Sequence, residues 1–152
     1  MVPKSELEEQ VTDFCIDEGI LGKKIQGDAK LEFGYEVNFP PNSPQPMKIV
    51  VLKLKERKAL VFQVATQIAP PHVEALKKGG NINNFFGIFK KYMLSQNLLY
   101  NIDAQNFRYI ISDTIYPDGL NEDRFYITIR KIFNASLFIN TVLMEVIQGP
   151  GG

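Results

Sequence analysis

The stretch Leu31-Glu32-Phe33-Gly34-Tyr35-Glu36-Val37-Asn38-Phe39 alternates apolar and polar side chains without a break. A period of two places the apolar side chains on one face of an extended strand and the polar ones on the other. This stretch therefore predicts a β-strand with one buried face, and it is the clearest strand signal in the chain.

Two more strands are predicted after this one, beyond a proline-rich loop at residues 40–46. Proline lacks the amide donor that a sheet needs and restricts the residue before it, so the loop interrupts regular structure. The strands run from Lys48 to Lys55 and from Ala59 to Gln67, joined through Glu56-Arg57-Lys58. Because the connections are short, the three strands predict an antiparallel meander.

A helix is predicted before the meander, from about Glu6 to Glu18. Ser5 followed by Glu8 forms a capping-box pattern, and Gly19 stands where a helix commonly ends in the left-handed conformation. The apolar side chains of this segment are Leu7, Val11 and Phe14 on one face, Cys15 at its edge, and Ile16 pointing away.

The second half of the chain predicts helices and a hairpin. A short helical turn spans Val73 to Lys77, and a longer helix follows a possible cap at Asn81 and runs to about Gln96. The stretches Phe107 to Tyr116 and Arg124 to Ile132 predict two paired strands around a Pro-Asp-Gly turn. A last helix is predicted from Ala135 to about Gln148.

The resulting order is helix, three strands, helix, two strands, helix. Runs of strands without a helix between each pair indicate an α+β fold with a mostly antiparallel five-stranded sheet and N-terminal, central and C-terminal helices. We expect a single domain over residues 1–152, with an ordered core at about 5–148 and a flexible tail at 149–152.

Composition places the chain among ordinary globular proteins: 152 residues, 17 basic and 17 acidic side chains and 45% apolar residues. With one cysteine, an intrachain disulfide is impossible, so a reducing cytoplasm is the expected location. The first residues contain no apolar signal segment, and the longest uncharged run near the end, residues 132–144, is too short to cross a bilayer. No membrane association is expected.

The residue types give little support to catalysis, metals or cofactors. A single His and a single Cys cannot build a zinc site, and Gly79-Gly80 lacks the spacing of a phosphate-binding loop. We therefore predict no catalytic residue, no metal and no cofactor. An enzyme that uses acids such as Asp113 and Asp118 is kept as the least favoured alternative.

Charge is distributed unevenly along the chain. Residues 1–22 contain six acids and one lysine, whereas residues 23–60 contain eight bases and four acids. The basic cluster around Glu56-Arg57-Lys58 could contact nucleic acid, but lysines that protect a sheet edge explain it more simply. Zero net charge also argues against a nucleic-acid binder that works by bulk phosphate neutralisation.

The last predicted helix has more apolar surface than one partner can cover. Leu137 and Met144, seven residues apart, lie on its otherwise polar side. A helix that is apolar on two sides needs two partners, and two-fold dimers are the commonest assembly. These two residues are therefore the predicted homodimer interface, and the alternative is that the N-terminal helix or a loop of the same chain covers them.

A second apolar surface is predicted for binding another polypeptide. It consists of Leu7, Val11 and Ile16 on the first helix, with Phe33 and Tyr35 on the first strand. An extended peptide can lie across such a face or add to a sheet edge. The alternative is a regulatory domain with a small-ligand pocket enclosed by Phe85, Phe89 and the sheet.

The order α-β-β-β-α-β-β-α over about residues 5–148 resembles the type III secretion chaperone fold and its relatives among small prokaryotic families. The features that carry the resemblance are the capped helix at Ser5 and Glu8, the meander from Ala29 to Gln67 and the apolar terminal helix. The resemblance implies a non-catalytic homodimer that holds a partner polypeptide in extended form through apolar patches.

Overall fold

The structure is a computed structural model that describes residues 4–148. Its elements are α1 (Glu6–Asp17), β1 (Leu21–Lys24), β2 (Leu31–Phe39), β3 (Met47–Leu54), β4 (Leu60–Gln67), α2 (Pro70–Gly79), α3 (Ile82–Ser95), β5 (Leu99–Asp103), β6 (Arg108–Ile115), a 3-10 turn (Pro117–Gly119) and α4 (Glu122–Gln148). The predicted α+β class is confirmed.

The strands form one six-stranded sheet in the order β1-β2-β3-β4-β6-β5. The pairs β1/β2, β2/β3, β3/β4 and β5/β6 are antiparallel. The predicted meander is confirmed as β2, β3 and β4, with Val37 opposite Ile49 and Val51 opposite Phe62. The predicted number of five strands is wrong, because both edge strands were missed and one predicted strand is a helix.

The predicted strand from Arg124 to Ile132 lies inside α4, so the second hairpin is formed by β5 and β6 instead. Asn121 caps the helix by accepting a hydrogen bond from the Arg124 amide at 2.8 Å. Phe125, Ile129 and Ile132 are fully buried at spacings of four and three, which is a helical stripe. The alternating Ile and Thr residues in this segment gave the period of two that is typical of a strand, which led to the wrong prediction.

The other helix predictions agree with the structure to within a few residues. Ser5 caps α1 by accepting a hydrogen bond from the Glu8 amide, and Gly19 has the expected positive φ of 70°. The helix α2 is longer than its predicted single turn. At the start of α3, the Asn81 side chain makes no cap hydrogen bond and donates instead to the Val146 carbonyl.

The described chain forms two compact units. The first contains residues up to Gln63 together with Asp113–Phe133. In its core the Phe125 ring lies 5.3 Å from Phe62 and 5.5 Å from Phe14, so α1 and the start of α4 pack on the same face of the meander.

The second unit contains Val64–Ser112 together with residues from Asn134 onward. Its core is built where α3 packs on β5 and β6, with the Phe89 ring 5.8 Å from Tyr100 and 4.9 Å from Tyr109. The expectation of a single domain stays a prediction, and the predicted tail at 149–152 lies outside the described residues.

Candidate functional site

The predicted polypeptide-binding face is largely core. Val11 is fully buried, and Phe33 and Tyr35 are only 2% and 5% exposed. Leu7 is half-buried, and Ile16 alone is well exposed, at 60%. These residues therefore do not present a continuous apolar face to solvent, because α1 packs on the face of β2 that carries Phe33 and Tyr35.

A buried carboxylate joins α1 to the first strands. Glu8 is 5% exposed. It accepts a 2.5 Å hydrogen bond from the Tyr35 hydroxyl and forms an ion pair with Lys24 at 3.2 Å. Burial, followed by the hydrogen bond to Glu8, raises the pKa of Tyr35 far above its usual range. Because each polar group has a partner, the contact is a structural anchor that holds β1 and β2 to α1.

The structure places Phe85 and Phe89, the residues predicted to enclose a ligand pocket, in the core of the second unit. Both side chains are fully buried, and their rings pack against Phe86, Tyr100 and Tyr109. These aromatic rings lie in the core of the second unit, and the ligand pocket stays a prediction.

The predicted dimer residues lie on α4, with Leu137 exposed by 47% and Met144 half-buried. The next residue, Phe138, is 40% exposed although its ring stacks on Tyr92 of α3 at 3.9 Å and 12°. The spacing did not reveal that it lies at the rim, where its ring edge reaches solvent.

The largest exposed apolar side chains of the second unit lie around β5, which is an edge strand. Leu94 at the end of α3 is 70% exposed, and Leu99 at the start of β5 is 54% exposed. Among the described residues 4–148, the strand pairs with β6 alone, and it carries no charge from Leu99 to Ile102. We call Leu99–Asp103 together with Leu94 the β5 edge. Because β5 was not predicted, this surface was missed.

A cavity of about 750 Å³ lies at the ends of β4, β5 and β6. Its charged lining residues, Asp103 and Arg108, form an ion pair at 3.5 Å. Hydrogen bonds from the Asn106 side chain and backbone amide, and then the contact with Arg108, hold the pKa of Asp103 below its usual range. Since its two charges satisfy each other, the cavity offers no free charge to a ligand.

A second cavity, of about 390 Å³, lies in the first unit where the turn after β3 meets the segment after β6. Its bases are Lys53, Lys55, Arg57 and Lys58, its acids are Glu56 and Asp118, and Tyr116 and Pro117 complete the lining. We call it the basic cavity. Its bases were noted in the sequence, but nothing there indicated that Tyr116 would lie beside them.

The two acids considered for catalysis are not paired with each other. Asp113 forms an ion pair with Lys131 at 3.3 Å, whereas Asp118 is exposed in the basic cavity. Cys15 is buried, and burial raises the pKa of its thiol to about 12.

Within residues 4–148, no group of three or more His, Cys, Asp or Glu side chains is arranged to hold a metal ion. Nor does any helix in this range have the length and apolarity to cross a membrane.

These features define an α+β fold with an antiparallel sheet and two surfaces suited to binding, the β5 edge and the basic cavity. Residues 7–143 match the family of uncharacterised conserved proteins DUF2299, and the chain belongs to this family. A comparison with the curated proteins finds no match.

Two solved structures are similar to the chain. An uncharacterised protein from Methanothermobacter thermautotrophicus has a TM-score of 0.81 at 21% identity, covering 91% of this chain and 97% of that one. YbjN from E. coli has a TM-score of 0.48 at 10% identity, covering 93% and 95%. The first shows the fold, and the second is too distant to support an argument. Neither is described as a secretion chaperone, so that resemblance stays a prediction.

Proposed function

We propose that the protein is a non-catalytic protein-binding module that holds a segment of another polypeptide at the β5 edge. The observation that carries this proposal is an edge strand without charge from Leu99 to Ile102, with one exposed leucine at its first residue and another, Leu94, at the end of the preceding helix. An edge strand presents unpaired backbone donors and acceptors, and an extended peptide can satisfy them by adding as a further strand.

The exposed leucines give this edge an apolar contact beside its backbone groups. On α3, Leu94 projects from the side opposite to Tyr92, the residue that stacks on α4. It is therefore not covered by α4, and its 70% exposure agrees with this placement. The Tyr100 ring packs on Phe89 of α3, so Leu99 faces the opposite side of the sheet from α3 and Leu94. A partner strand paired with β5 would bury both leucines if it carried apolar side chains on both of its faces.

We further propose that two copies associate through α4, as predicted for Leu137 and Met144. The exposed leucine and the rim of Phe138 lie on successive positions, and the polar residues between the two predicted positions are uncharged. In a two-fold dimer the same surface of both subunits forms the interface, so Leu137 of each copy would contact the α4 surface of the other copy. This arrangement leaves the β5 edge of each copy open for polypeptide.

The experiment uses a probe that remains unfolded, fluorescein-labelled α-lactalbumin that has been reduced and carboxymethylated. Binding is followed by fluorescence anisotropy. The variant Leu94→Lys/Leu99→Lys should weaken probe binding about tenfold, since it removes two apolar contacts and adds charge at the edge. Light scattering should give a dimer mass for this variant and a monomer mass for Leu137→Glu/Met144→Glu.

The matched control is Ile16→Lys, an equally exposed apolar residue on α1 that belonged to the predicted binding face. It should leave probe binding unchanged. If Ile16→Lys weakens binding and the β5 variant does not, the binding surface lies on α1 and the proposal for β5 is wrong. A monomeric wild-type protein would refute the dimer proposal independently.

A further inference from the structure

The basic cavity contains a buried cation that is only partly satisfied. Lys53 lies on the core-facing side of β3, opposite Phe33 and Leu60, and is 8% exposed. Its ammonium donates to the Leu54 carbonyl at 2.8 Å, and its nearest carboxylate, on Glu32, is 3.8 Å away. A buried ammonium can make three hydrogen bonds, so an anion in the cavity would complete its coordination.

Three more cations face the same space without a protein counter-ion. Within residues 4–148, Lys55, Arg57 and Lys58 form no ion pair. The cavity also contains Glu56 and Asp118, which leaves two positive charges in excess. A concave site with surplus positive charge attracts a ligand with at least two negative charges, and a fork-shaped guanidinium is well suited to phosphate oxygens.

An aromatic ring borders these cations. Tyr116 follows β6, lines the cavity and is 63% exposed. A large exposed ring costs hydration free energy unless something covers it, and nucleobases stack on such rings in a sequence-tolerant way. The volume of about 390 Å³ is within the range of small-ligand sites.

We propose that the basic cavity is a binding site for nucleotide phosphates, in which Lys53, Arg57 and Lys58 contact the phosphoryl groups and Tyr116 stacks on the base. The same chemistry is available from a free nucleoside triphosphate or from the end of a single-stranded nucleic acid. The site is separate from the β5 edge, so it does not depend on the proposed polypeptide binding.

The test measures binding of three probes to the full chain by isothermal titration calorimetry at physiological ionic strength: ATP, inorganic triphosphate and a short oligouridylate. Arg57→Gln/Lys58→Gln should weaken binding of all three about tenfold, because each charge-assisted contact is lost. Tyr116→Leu should weaken ATP and oligouridylate about fivefold and leave triphosphate unchanged.

The matched control is Lys90→Gln/Lys91→Gln, which removes the same charge from exposed positions on α3. It should bind all three probes as the wild type does. Tighter binding of ATP than of oligouridylate assigns the site to a free nucleotide, and the reverse assigns it to a nucleic-acid strand. Equal losses in the control and the Arg57/Lys58 variant would overturn the proposal, as would absence of binding by the wild type or an unchanged ATP affinity in Tyr116→Leu.

Discussion

The two edge strands of the sheet differ in every feature that decides whether an edge can accept another strand. The first, β1, has four residues with a register shift between Leu21 and Lys24, and its apolar exposure is limited to Leu21 at 38%. Two lysines occupy it, and Lys24 is tied to α1 through Glu8. In contrast, β5 is paired regularly and has no charge before Asp103.

This difference indicates that one edge is protected and the other is available. Short length, irregular register and lysines are the means by which proteins prevent strands from adding to an edge. Gly22 contributes, since a β-carbon there would lie 2.5 Å from the Glu36 carbonyl oxygen, which allows β1 to approach β2 closely. Because β5 is paired in regular register and contains no lysine, it is the edge at which polypeptide binding is expected.

The largest expected effect comes from removing the anchor of β1. Glu8→Ala leaves the buried Tyr35 hydroxyl without its acceptor and Lys24 without its partner, so we expect a loss of about 3 kcal/mol in the free energy of unfolding. Urea unfolding measures this loss. Hydrogen exchange should become faster in β1 and remain unchanged in β5, because the partners of Glu8 lie on β1 and β2.

The matched control for this change is Glu9→Ala, which alters the exposed neighbour on the same helix. Its stability should stay within about 0.5 kcal/mol of the wild type. Equal losses in the two variants would mean that the buried contacts of Glu8 contribute nothing beyond helix composition. The account of β1 as an anchored edge would then have to be abandoned.

A reciprocal exchange of residue type tests the edges themselves. Leu99→Lys gives β5 the protection that β1 has, whereas Lys23→Leu removes part of it from β1. Both side chains are exposed, so each change should alter stability by less than about 0.5 kcal/mol. Aggregation on mild heating, followed by light scattering, should slow for Leu99→Lys and accelerate only slightly for Lys23→Leu, since the register shift remains. A larger effect at Lys23 would reverse the assignment of the open edge.

The sequence predicted the centre of the sheet and missed both of its edges for the same physical reason. The long alternation in β2 reports a strand with one buried face, and the structure confirms it. The edge strands are short: Leu21–Lys24 has four residues and no alternation, and Leu99–Asp103 has five residues, too few for its alternation to stand out. The prediction for the first part of α4 was wrong for a different reason. Its β-branched residues favoured a strand more strongly than the Asn121 cap favoured a helix.

Of the candidate binding surfaces, the sequence predicted only those features that follow from the type and spacing of the residues. Exposed Leu137 and the bases after β3 could be found from spacing and charge. The burial of Phe33 and Tyr35 beneath α1 could not, since an apolar strand face looks the same whether a helix or a partner covers it. The contact of Tyr116 with the basic turn depends on strand order, which alternation does not encode.

The smallest expected effect concerns the other end of α1 and extends the comparison to pH. A hydrogen bond with Asp17, burial, and the charges of Asp17 and Glu18 raise the pKa of Glu122 above its usual 4.5. The folded state therefore holds this proton more tightly than the unfolded chain, so its contribution to stability is present below pH 4.5 and is lost as pH rises through the folded pKa. Hydrogen exchange in β1 should accelerate over that range relative to β5, and Glu122→Gln, which keeps a donor for Asp17, should abolish the change. If β5 responds equally, or if the glutamine variant retains the pH dependence, Glu122 is not the group that couples pH to the protected edge.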